Sequence, residues 1–114
     1  RFIRIDERTA FWGQSIDTDI PHGKPLHFEV SIKTDELLGG GAAIAIRGDA
    51  PDHQTFFDTT EEQLLISGSI DWRTITLTTQ PIPPATQSLQ VFLILLPRTI
   101  GTVYFDDISL TFFE

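Results

Sequence analysis

Neither cysteine nor methionine occurs in the 114 residues. Without cysteine there is no disulfide framework, no thiolate metal site and no cysteine nucleophile, and the redox compartment cannot be read from thiols. Without an initiator methionine ahead of Arg1, the expectation is a mature product, a processed fragment or a domain of a longer parent chain. Basic residues are scarce: 8 Lys plus Arg against 16 Asp plus Glu leave a net charge of −8. A phosphate backbone is repelled by that balance, so nucleic acid is not an expected partner. Solubility is the plain reading of the acidity, and cation binding is the sharper one. Long apolar runs are missing as well. The longest, Val91 to Leu96, falls far short of the roughly 20 residues of a spanning helix, and no signal-like stretch is present, so no membrane partner is expected.

What is present is β-type alternation. Leu26, Phe28, Val30 and Ile32 share one parity, and His27, Glu29, Ser31 and Lys33 take the other, the pattern of a strand with one face buried and one wet. Asp35 to Gly41, ending in three glycines, reads as a turn. Ala42 to Arg47 resumes as a strand with Ile44 and Ile46 inward and the small Ala43 and Ala45 opposite. Gln54 to Asp58 is a short strand. Thr59 to Glu62 resembles a helix start with nothing to continue it, and Gln63 to Ile66 returns to β-type residues before Gly68. Asp71 to Thr79 alternates Ile75 and Leu77 against Thr74, Thr76 and Thr78, with Trp72 expected in the core. Pro81, Pro83 and Pro84 make the following stretch an extended connector. Ser88 to Leu96 is apolar on both parities and reads as a mid-sheet strand covered on both sides.

The two ends are less regular. Phe2, Ile3 and Ile5, then Thr9 to Ile16, suggest one or two strands broken by Asp6-Glu7-Arg8, with residues 1–7 the least defined. At the other end, Gly101-Thr-Val-Tyr-Phe-Asp-Asp-Ile-Ser-Leu110 places two adjacent carboxylates in an otherwise buried-looking strand. Asp is depleted from strands and rarely buried without a partner. Backbone N–H groups, a cation or solvent at a sheet rim must therefore satisfy Asp106 and Asp107. No helical period is sustained, and turns recur roughly every 8 to 12 residues, as in an all-β sandwich. The expectation is a single all-β domain over 1–114, an antiparallel β-sandwich.

No spacing singles out a catalytic group. Asp58, Glu61 and Glu62 can be drawn as paired acids and His53 as a base, but nothing marks a nucleophile or an acid–base pair. His22, His27 and His53 lack the spacing of a helical zinc site. The loop Asp17 to Gly23 lacks the third acid and closing Glu of a helix-loop-helix calcium site. The tripeptide Arg47-Gly48-Asp49 at a strand exit is explained by chance.

Trp72 leading into Ile-Thr-Leu, Ile82 to Val91, and above all Gly101 to Leu110 resemble the second half of a galactose-binding-like jelly roll, the β-sandwich type that includes several carbohydrate-binding modules of glycoside hydrolases. Gly23 to Lys33 and Ala42 to Arg47 are similar to its earlier strands. Such modules open with an Asn-Gly-Asp/Gly-Phe-Glu type strand that has no match here. Its loss would leave an open sheet edge able to pair with another copy or with the rest of a parent chain.

The resemblance implies a non-catalytic module that binds carbohydrate or accompanies a catalytic or regulatory partner, outside the cell or in the periplasm. It also implies a structural calcium ion with Asp106 as a ligand and most other ligands from an N-terminal segment. Sugar recognition needs an aromatic platform and planar polar groups. Trp12, Phe92 and Tyr104 are the aromatic candidates; Gln14, His27, Glu29 and Arg47, expected on the parity facing away from the core, are the polar ones. The alternative is a structural or assembly module that packs through an apolar sheet face or an open edge, with no small ligand.

Overall fold

The computed structural model describes residues 3–6, 11–60 and 66–112, and all of its regular structure is strand. Seven strands follow in order: β1 (Ile3–Asp6), β2 (Phe11–Ile16), β3 (Leu26–Asp49), β4 (Gln54–Thr59), β5 (Ile66–Thr78), β6 (Ser88–Leu95) and β7 (Ile100–Phe112). Every pairing is antiparallel. The expected helix start and the β-type segment after it fall largely on 61–65, outside the described residues.

β3 organises the sandwich. Its first half lies between β5 and β7, with His27 opposite Thr78 on one side and Thr111 on the other. Its second half lies between β4 and β6, with Ala45 opposite Thr59 and Phe92. One layer is therefore β1-β7-β3-β5 and the other is β4-β3-β6-β2, the single long strand passing from the first into the second. This is the antiparallel jelly-roll sandwich that the alternation and the resemblance led to. β1 fills the edge beside β7, with Ile3 opposite Phe105 and Asp6 opposite Thr102.

The expected turn over Asp35 to Gly41 is instead the crossing point inside β3. Leu37 is buried there, while Glu36, Gly39 and Gly41 take positive φ values of 51°, 105° and 98°. A Cβ on Gly39 would run into the Arg98 carbonyl oxygen, so only glycine lets the two backbones approach this closely. Thr99, buried, pins the crossing: its Oγ1 accepts from Gly41 N–H at 2.9 Å and donates to the Gly41 carbonyl at 3.3 Å. The glycines bend the strand without ending it, because its ladder bonds resume at Ala42.

The core is the inward parity of both layers. Phe28, Val30 and Ile32 from the first half of β3 meet Ile44 and Ile46 from the second, with Ile75, Leu77, Leu89, Val91, Leu93, Val103 and Phe105 around them. β6 alternates strictly, odd residues buried and even residues half-buried. It is mid-sheet as expected, but its Phe92 and Ile94 side is not fully covered. An aromatic face is therefore left accessible.

Candidate functional site

Register places the outer side chains of the second layer in rows across four strands. In one, Phe57 of β4, Arg47 of β3, Gln90 of β6 and Ser15 of β2 stand side by side; in the next, Thr59, Ala45, Phe92 and Gly13 do. A third sets Ala43 beside Ile94 and Phe11. Phe11 is 60 % exposed and Phe57 46 %, and both lie on edge strands. With neighbouring strands about 4.8 Å apart, the four strands span about 14 Å.

Phe92 holds this face together. Phe11 meets its ring edge-on at a centroid distance of 6.5 Å, and the Arg47 guanidinium lies over it at 5.5 Å. The ring leans across Gly13, where an added Cβ would sit only 3.2 Å from Phe92 Cδ1. Arg47 Nε also donates to both carboxylate oxygens of Asp49, at 3.0 and 3.2 Å. Gln90 Nε2 donates to Ser15 Oγ at 2.9 Å. Aromatic area thus alternates with planar polar groups held by neighbours, and these polar groups are only partly buried.

The residues expected to form one site lie in three places. Phe92 and Arg47 share the face just described. His27, Glu29 and Tyr104 are on the outer face of the other layer, where His27 Nε2 lies 3.3 Å from Glu29 Oε2 and His27 Nδ1 lies 3.2 Å from Thr78 Oγ1. Trp12 and Gln14 belong to neither face. They pair with Leu93 and Val91 on the inward parity of β2, and Trp12 packs against the core. Gln14 is exposed only because β2 is an edge strand, so its expected position on the outward parity is corrected.

The sequence reading does not select Phe11, Phe57 or Gln90 for a site, and it sets Asp49 aside as part of a chance tripeptide. The available signal was the parity of Phe57, which follows the inward Phe56 and must point the other way.

Trp72 is also corrected. It is 44 % exposed, because it shares the parity of Thr74, Thr76 and Thr78, whose β3 partners Ser31, Glu29 and His27 also face outward; with Asp71 it lies in a bulge opposite the single residue Lys33.

The paired acids are likewise part of a bulge. Glu29 is opposite Ser109 and Ser31 opposite Asp106, so β7 carries one extra residue. Asp107 takes φ 50°, and its N–H donates to Asp106 Oδ1 at 2.8 Å. Calcium takes 6 to 8 oxygens. Among the described residues no group of three or more His, Asp or Glu side chains could hold a metal, and one Asp106 oxygen already serves the bulge. The adjacent pair Asp106 and Asp107, with one oxygen engaged in the bulge, does not make up that number of oxygens by itself.

No family model matches the chain, and no curated protein does. Among solved structures, one described as "CBM4 structure and function", a carbohydrate-binding module, superposes with a TM-score of 0.70 at 20 % identity. The match covers 98 % of this chain and 71 % of that one. At this identity the likeness is one of fold.

Proposed function

We propose that the chain is a non-catalytic carbohydrate-binding module whose second layer presents the binding surface. The observation that carries this reading is the row structure around Phe92: exposed Phe11 and Phe57 flank a strip of partly buried Arg47, Asp49 and Gln90 and exposed Ser15. Aromatic rings take the C–H faces of a sugar, and the guanidinium, carboxylate and amide take its hydroxyls. A flat surface spanning four strands suits an oligosaccharide lying across the strands. The likeness in fold to a carbohydrate-binding module supports the same reading.

Calorimetric titration with xylan, glucan and galactan fragments tests it. Saturable binding is expected, with Phe11→Ala and Arg47→Ala each weakening it about tenfold, which corresponds to ~1.4 kcal/mol. Silence across the panel would sink the proposal.

An assembly role draws on a different observation. Leu38 and Ile100 are register partners and are 59 % and 54 % exposed at one end of the sandwich. A strictly monomeric species in light scattering would remove that reading.

A further inference from the structure

On the outer side of the first layer, away from the Phe92 face, a cleft of about 740 Å³ is lined by Lys33, Asp35, Ser69, Asp71, Trp72 and Tyr104, among others. Its walls come from three neighbouring strands, since Lys33 of β3 is the register partner of Tyr104 of β7 and faces the β5 bulge that carries Asp71 and Trp72.

Two of the three walls are engaged with other parts of the chain. The Trp72 backbone N–H donates to Asp71 Oδ1 at 2.8 Å, closing the bulge that carries both residues. Tyr104 is hydrogen-bonded to Arg4, which in turn donates to Asp6 Oδ2 at 2.9 Å. That pairing with Tyr104 first and Asp6 second holds the Arg4 guanidinium above its ordinary pKa. The side chains of Lys33 and Asp35, by contrast, have no hydrogen bond or ion pair among the described residues. An exposed indole on a closed backbone bulge and a phenol bonded to Arg4 therefore border a donor and an acceptor that nothing in the described fold uses.

We propose that this cleft is a second saccharide site, taking a single neutral pyranose unit or the end of a short oligosaccharide. The ring's apolar face packs on Trp72. Lys33 donates to its hydroxyls and Asp35 and Asp71 accept from them. The volume falls within the roughly 300 to 1,000 Å³ of small-molecule sites. One cation against two carboxylates, on a chain of net charge −8, disfavours uronic acids and other anionic sugars. The site shares a ligand class with the Phe92 face but no residue with it.

Amide chemical-shift mapping of the whole chain, titrated with glucose, galactose, xylose and their hexamers, tests the assignment. At least one of these sugars is expected to give saturable shifts at Lys33, Ser69, Asp71, Trp72 and Tyr104. Trp72→Ala should weaken that set about tenfold or more, and Arg47→Ala should leave it unchanged. Lys33→Ala serves as the second variant should the Trp72 change disturb the bulge. Shifts confined to the Phe92 face would overturn this site and leave the other reading standing. Shifts confined to the cleft would do the reverse. A cleft set that no sugar moves, or that persists unchanged in both variants, overturns the proposal.

Discussion

At the scale of single residues, side chains here are set by what their backbone must do. Asp107 occupies a left-handed position that costs most L-residues about 1–2 kcal/mol and that Asp tolerates better than most. Asp107→Gly should leave thermal stability level or raise it by up to ~1 kcal/mol. Asp106→Ala, which strips the acceptor from the Asp107 N–H, should cost about 1 kcal/mol. If the Asp pair is a backbone fixture, millimolar calcium should leave the melting temperature unchanged; a calcium-dependent rise that Asp106→Ala abolishes would show that the ion is held there after all.

A second residue-scale expectation concerns Asp52. Its hydrogen bond from His53, at 2.6 Å, followed by the charge of that ring, holds the carboxyl below its ordinary 3.8. A carboxylate depressed in the folded state contributes stability above its unfolded pKa and loses it as pH falls through the folded value. A carboxyl titration followed by NMR should show Asp52 protonating below 3.8 and returning there in His53→Ala. Both groups are well exposed, so global stability should barely respond.

At the scale of elements, β3 is the point of greatest sensitivity. Thr99→Val keeps the shape but removes the acceptor of the buried Gly41 N–H, at a cost of about 1–3 kcal/mol in chemical denaturation. Gly39→Ala combines a φ of 105° with a collision against the Arg98 carbonyl and should cost ~3 kcal/mol or more, read as lost soluble yield or a collapsed transition.

The same elements show what was legible in the chain. Leu26 to Ile32 and Leu89 to Leu95 announce their buried faces because a period of two leaves no other way to bury them. Three glycines, by contrast, read as a stop, since nothing local reveals that Thr99, 58 residues on from Gly41, will hold the strand together across them. Trp72 is a different case: it shares the parity of Thr74, Thr76 and Thr78, so alternation alone assigns it to the wet face, against the expectation of a core indole. The candidate face was half legible. Arg47 and Phe92 sit on outward parities of well-marked strands, but bringing Phe11 and Phe57 beside them required the register of two edge strands.

At the scale of the whole molecule, charge bears on the proposed carbohydrate binding by setting which glycans it would admit. A net charge of −8 leaves neutral sugars unaffected and repels acidic ones. Affinity for a neutral oligosaccharide should therefore change little between low and 0.5 M salt, while any affinity for a polyuronate should appear only as screening increases. A neutral ligand whose binding falls steeply with salt would show that ion pairing, and not stacking and hydroxyl bonding, carries the interaction.

The long central strand also sets the order in which the protein can be made. All four partners of β3, namely β4, β5, β6 and β7, follow it in the chain. While synthesis proceeds, a segment of 24 residues with a strongly apolar face therefore waits with both edges open until its neighbours emerge. Only β7, the last strand, closes the first layer between β1 and β3. Loss of that strand would leave one flank of β3 unpaired along half its length, so a nascent chain stalled or cleaved before Ile100 should be a substrate for chaperones and aggregation instead of a smaller folded domain.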